Sequence, residues 1–123
     1  MSVHVLIVED SVLVTDALRI LLEATDHRVT TASGVAAAVA SVERDPPDVM
    51  LLDLGLGNDN GLVVLERLAA ASLALPATIA VTGSDGPEVR AACRTAGCVD
   101  VLVKPVPSAT LRARIAAALK NRG

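Results

Sequence analysis

Five groups in this 123-residue chain combine side-chain types that could do chemistry together: Glu9 with Asp10, Asp53, Thr82, and Lys104. Each closes or directly follows a short apolar run. Taken singly, most have plain explanations. Glu9, Asp10 or Ser11 can cap a following helix and complement its dipole. Asp53 can open a turn before a glycine-rich loop, and Thr82 can satisfy nearby backbone. Lys104 is harder to set aside. Only Lys104 and Lys120 are lysines among eleven cations, and a compact ammonium at the end of an apolar run suits a point contact with an oxyanion. Brought together, three carboxylates would repel and raise one another's pKa unless a cation stood between them. Few, all-oxygen donors suit Mg2+ that keeps several waters better than an enclosed Ca2+ or a soft metal. The ammonium and hydroxyl would then face an anion that the metal also touches. Phosphoryl is the natural candidate, with a carboxylate able to act as its nucleophile.

The elements that must bring these groups together follow from hydrophobic patterning. Apolar runs rich in β-branched residues recur at 3–8, 28–31, 49–52, 78–81 and 99–103. Most are nearly continuous instead of alternating, as parallel strands covered on both faces are. Helical spacing fills the intervals. In the first helix Leu13, Ala17, Leu18, Leu21 and Leu22 share one face, with Asp16, Arg19 and Glu23 opposite. The second is expected over 35–43 and the third over 62–71. Asp85-Gly86-Pro87-Glu88 punctuates the start of the fourth and Gly97 its left-handed stop, with Val89, Ala92, Cys93 and Ala96 inward. The last follows Pro107-Ser108 and buries Leu111, Ile115, Ala118 and Leu119. Right-handed crossovers make a three-layer doubly wound (βα)5 α/β fold, a flavodoxin-like parallel sheet in the order 2-1-3-4-5, the economical arrangement. In such a sheet ligands bind beyond the carboxyl ends of the strands, where the five groups lie.

Composition narrows the function. Hydrophobic residues make up 52% and charged residues 20%, a balance that favours a packed globule over disorder. No apolar run reaches a membrane span and the N-terminus lacks the features of a secretory signal, so a cytoplasmic protein is expected. A net charge of -3 without a long cationic run argues against direct nucleic-acid binding. The cluster of Arg112, Arg114, Lys120 and Arg122 reads as a solvated helix face. With no Phe, Tyr or Trp, platforms for base stacking are missing as well. Cys93 and Cys98 match neither a CxxC pair nor a metal clip and read as small core residues with reduced thiols. His4 reads as a strand residue and His27 as a surface turn residue rather than as phosphate carriers.

Four motifs now stand in order, each at a strand end: Val5-Leu6-Ile7-Val8-Glu9-Asp10; Leu51-Leu52-Asp53-Leu54, with Gly61 eight residues after the Asp; Val81-Thr82-Gly83; and Val103-Lys104-Pro105. Over the whole chain they resemble the receiver domain of two-component response regulators, of the single-domain chemotaxis-regulator type. The resemblance implies that Asp53 accepts phosphoryl from a histidine kinase or a histidine phosphotransfer protein of a two-component system or phosphorelay. It further implies that Glu9, Asp10 and Asp53 hold Mg2+ with the main-chain carbonyl of Gly55, that Thr82 and Lys104 contact the phosphoryl group, and that the Lys104-Pro105 peptide is cis. Residues 1–123 would form a single receiver domain without an output domain, either a stand-alone regulator or the excised receiver of a longer regulator or hybrid kinase. It would catalyse only its own phosphorylation and dephosphorylation. Its face of helix four, strand five and helix five, with Arg90, Arg94 and Arg112, would meet a downstream protein target or a second copy in a phosphorylation-linked homodimer.

Two departures bear on signal transmission. Val101 stands where many receivers have an aromatic residue three places before the Lys, and Gly57, followed by Asn58-Asp59-Asn60, stands where many have proline, which makes a more mobile third loop the expectation. Gly55 and Ser84 resemble positions that modulate phosphoryl lifetime, and their small size favours rapid loss. Two other functions fit less well. An interaction module that is never phosphorylated leaves the complete acidic set unexplained. A Mg2+-dependent phosphatase would need a second carboxylate where Gly55 stands, and a substrate cap.

Overall fold

The structure is a computed structural model that describes residues 2–84 and 86–120. Asp85, expected to help cap the fourth helix, and Arg122, in the C-terminal basic cluster, lie outside the described residues. In chain order the elements are β1 (Val3–Val8), α1 (Val12–Glu23), β2 (His27–Ala32), α2 (Val35–Arg44), β3 (Val49–Asp53), β4 (Gly55–Leu56), β5 (Asp59–Asn60), α3 (Val63–Ala70), β6 (Ala77–Thr82), α4 (Pro87–Ala96), β7 (Asp100–Val103) and α5 (Ser108–Lys120). The main sheet is parallel in the order β2-β1-β3-β6-β7. Counted over its five strands this is the expected 2-1-3-4-5.

The strands are buried on both faces because their side chains alternate between two cores. Leu6, Val8, Met50 and Leu52 join Ala38, Val42, Val64 and Leu68 of α2 and α3. Val5, Ile7, Val49 and Leu51 join Leu22 of α1 and Leu111, Ile115 and Ala118 of α5. Each such Val, Leu or Ile contributes roughly 1.5–3 kcal/mol by leaving water. With no aromatic rings, this aliphatic interdigitation carries the whole core.

Several expectations of side-chain placement change. Leu13 and Ala17 do not face inward: Leu13 is 83% exposed, and Val12 and Ile20 are 72% and 70% exposed. Helix α1 is apolar on more sides than one sheet can cover, so Leu18, Leu21 and Leu22 take the buried stripe. Arg19, expected on the outer side, is half-buried and its Nη2 donates to Thr31 Oγ1 at 3.2 Å. In α4, Cys93 is buried and Val89 and Ala96 half-buried, but Ala92 is exposed. His27 begins β2 rather than lying in a turn, its Nδ1 beside Thr25 Oγ1 and the Leu22 carbonyl. Within the third loop β4 and β5 pair antiparallel, Gly55 with Asn60 and Leu56 with Asp59, around Gly57 at φ 61°. The Lys104-Pro105 peptide is cis.

Candidate functional site

The polar groups gather where the parallel strands run out into loops. β1 and β3 are neighbours in register, with Val8 opposite Leu52, so Glu9 and Asp53, one residue further on, emerge side by side. β6 flanks β3 and delivers Thr82, while β7 pairs with β6 up to Val103 and delivers Lys104. One end of the sheet therefore collects Glu9, Asp10, Asp53, Thr82 and Lys104 around an open cleft of about 700 Å3, whose far wall is Glu88, Val89 and Ala92 of α4.

Asp53 is 7% exposed, and both of its oxygens are held. Oδ1 accepts the Gly55 N–H at 2.9 Å, and Oδ2 accepts from Lys104 Nζ at 3.0 Å. Lys104 also lies 3.9 Å from Glu9 Oε2, and Glu9 Oε1 accepts the Ser11 N–H at 3.3 Å. Burial, followed by the hydrogen bond and charge of Asp53, raises the Glu9 carboxyl from 4.5 to about 7. Burial pushes Asp53 the same way, but its bonds with Glu9, the Gly55 N–H and Lys104 outweigh that and hold it below the usual carboxylate range. Of the two, Glu9 is the carboxyl that takes up a proton first as pH falls, and Asp53 the one that keeps its charge.

One ligand oxygen each from Glu9, Asp10 and Asp53 lies within 4.8 Å of the others. Three carboxylates converging on one point, one of them raised by burial and by its neighbour Asp53, fit a hard divalent cation that would favour the charged form. Asp10 is exposed and Gly55 lines the same cleft, which leaves the cradle open to solvent. The Thr82 hydroxyl is turned into its own loop: it donates to the Ser84 carbonyl at 3.1 Å and accepts the Ser84 N–H at 3.2 Å.

All five expected side chains therefore reach one cleft. Two contributions were not legible as such. The Gly55 N–H reaches the site by donating to Asp53 Oδ1. Gly61 has a reason the motif did not supply: a Cβ there would collide with the Asp53 carbonyl oxygen, and its N–H donates to the Leu54 carbonyl at 2.9 Å. Only a bare backbone lets the loop fold back against the strand end that carries Asp53. Beside it Asn60 Oδ1 accepts the Leu62 N–H at 2.9 Å and fixes the loop's exit into α3. His4 and the thiols of Cys93 and Cys98 are not part of the cleft.

Residues 5–116 match the response regulator receiver domain family. Among curated proteins, the probable transcriptional regulatory protein TcrX of Mycobacterium tuberculosis is 33% identical over 98% of this chain. The alginate biosynthesis transcriptional regulatory protein AlgB of Pseudomonas aeruginosa is 35% identical over 97% of it. The chain spans 51% of the length of TcrX and 26% of that of AlgB. Among solved structures, a CheY-like receiver domain protein from Methanospirillum hungatei superposes with a TM-score of 0.87 at 24% identity, covering 99% of this chain and 97% of that one. The chemotaxis protein CheY4 of Vibrio cholerae gives 0.89 at 22% identity, covering 97% and 100%.

Proposed function

The chain belongs to the response regulator receiver domain family, and on that footing we propose that Asp53 is its phosphoacceptor, taking phosphoryl from a histidine kinase or histidine phosphotransfer protein with Mg2+ bound. The observation that carries this reading is the seating of Asp53: an ionised carboxylate against an ammonium at 3.0 Å, next to two further carboxylates.

The residues divide the work by chemistry. Glu9, Asp10 and Asp53 would hold the metal, with the Gly55 carbonyl as a fourth protein oxygen. Mg2+ held there would supply positive charge to the oxygens of the group being transferred. A carboxylate oxygen of Asp53 attacks phosphorus, the P–N bond to the donor imidazole breaks, and its electron pair stays on the ring nitrogen. Lys104 leaves Asp53 and follows the negative charge onto the phosphoryl oxygens. Thr82 leaves the Ser84 carbonyl and donates to another of them. Its movement draws the loop before α4 inward and biases the α4–β7–α5 face toward a partner-binding form, a population shift of the usual regulatory kind. Val101, half-buried in β7, gives this readout an aliphatic rather than an aromatic element.

A protein donor needs somewhere to rest beside Asp10. The outward face of α1 offers it: Val12, Leu13 and Ile20 are more than two-thirds exposed and lie on the helix that Ser11 caps directly after the acidic pair. The test of the reaction uses phosphoramidate, whose P–N bond is that of phosphohistidine. With Mg2+ it is expected to place phosphoryl on the parent protein and not on Asp53→Ala; equal labelling of the two would remove Asp53 from the reaction.

A further inference from the structure

Helix α4 ends in a Schellman turn. The Cys98 N–H donates to the Cys93 carbonyl at 2.9 Å, the Gly97 N–H donates to the Arg94 carbonyl at 3.1 Å, and Gly97 takes the left-handed conformation at φ 108°. In this motif the two residues joined by the outer hydrogen bond bring their side chains together, ordinarily as an apolar contact. Here both are cysteines, and Cys93 is among the neighbours that raise the Cys98 thiol. The outer bond, 2.9 Å from the Cys98 nitrogen to the Cys93 oxygen, pins the two backbones against each other, the close approach that a disulfide needs. Cys93 is fully buried. Cys98 is half-buried and lines a surface groove of about 230 Å3 together with Arg90, Arg94, Val99, Asp100 and Val101. Asp100 in this groove is engaged by Arg114 Nη1 at 2.7 Å. None of these groups serves the phosphoryl chemistry.

We propose that Cys93 and Cys98 form a reversible intramolecular disulfide site, closed by exchange with a low-molecular-weight disulfide that enters through the groove. The Cys98 thiolate attacks one sulfur of the oxidant, whose S–S bond breaks and releases a thiolate that takes up the proton Cys98 lost. Cys93 then gives up its proton and attacks the Cys98 sulfur, expelling the second half of the oxidant as a thiol. Two thiols are oxidised and one disulfide is reduced to two thiols. Burial, followed by the neighbouring Cys93, pushes the Cys98 thiol up to about 12, so the resting protein holds the dithiol and the first exchange is slow. Closure ties the last turn of α4 to the segment entering β7, where Val99 N–H donates to the Thr78 carbonyl at 2.8 Å.

The test uses the full chain, reduced, freed of reductant and incubated with glutathione disulfide, with diamide as a second oxidant, before alkylation in denaturant and intact-mass measurement. The expected product is monomeric, lighter by two hydrogens, and inert to alkylation until a dithiol is added. Trypsin should release it as residues 91–94 linked to residues 95–112. Cys93→Ala should stop at a lasting glutathione adduct on Cys98, and Cys98→Ala should stay unmodified because the remaining thiol is buried. Asp53→Ala should oxidise like the parent, so the outcome is independent of the phosphoryl reading. A lasting glutathione adduct on the parent, a disulfide-linked dimer, or two alkylatable thiols after both oxidants would each overturn the proposal.

Discussion

Replacing Glu9 by glutamine should make stability depend on pH in a way that no surface carboxylate would reproduce. Glu9 is 6% exposed and its carboxyl is raised from 4.5 to about 7, first by burial and then by Asp53. A carboxyl raised on folding leaves stability intact while it is protonated in both states, below 4.5. That contribution is lost as pH rises through about 7, because the folded state then holds an unwelcome charge. The interval from 4.5 to about 7 corresponds to about 3 kcal/mol. Asp53 and Glu9 share one site, and Lys104 at 3.9 Å from Glu9 can follow the new charge, so about 1–3 kcal/mol is the expected range. Glutamine is neutral throughout and its amide can still donate to Asp53. In metal-free buffer near about pH 8, Glu9→Gln should therefore exceed the parent by that amount, and the gap should close toward about pH 4. Urea unfolding followed by far-ultraviolet circular dichroism measures it, since a chain without aromatic residues offers no intrinsic fluorescence. Saturating Mg2+ should reverse the order at the higher pH, because the cation favours the carboxylate that only the parent has. A stability difference that is the same at both pH values would refute the shared-proton account of Glu9 and Asp53.

Gly61→Ala should lose about 1–3 kcal/mol and most phosphorylation, because the new methyl displaces the Asp53 backbone; Gly83→Ala, with nothing within 4 Å, should melt like the parent. Lys104→Met removes the 3.0 Å partner of Asp53. It should bind Mg2+ more tightly in calorimetry yet take phosphoryl from a small donor about tenfold more slowly or worse, since charge on the transferred group is no longer met. Leu13→Ser combined with Ile20→Ser should leave stability and small-donor labelling unchanged. The same pair should slow transfer from a phosphorylated histidine phosphotransfer protein by about tenfold, the effect of losing about 1.4 kcal/mol of docking. Equal slowing with both donors would place the fault in the fold instead.

Much of this site could be read from the chain because parallel strands leave a legible mark. Continuous runs such as Val5 to Val8 and Val49 to Leu52 end abruptly in charge, and a sheet in this order must bring those ends together. The orientation of α1 could not be read the same way. With Val12, Leu13, Val14, Ala17, Leu18, Ile20, Leu21 and Leu22 all apolar, periodicity does not choose a buried face, and Leu13 faces solvent rather than the sheet. The hairpin of β4 and β5 is two residues a side, too short for any alternation to show. The demand on Gly61 arises from a contact with Asp53 across the loop, which spacing records as a motif but does not explain. The thiol pair did carry a signal: once Gly97 is taken as the left-handed stop, Cys93 and Cys98 fall at the two positions that a Schellman turn joins.

The central claim, that Asp53 becomes an acyl phosphate in a metal-dependent reaction, is tested most directly by intact mass after incubation with acetyl phosphate. With Mg2+ the parent should gain a single phosphoryl group, whereas chelated parent and Asp53→Asn should gain none. An adduct that survives in the variant or ignores chelation would contradict the account, as would no adduct where a control receiver is modified.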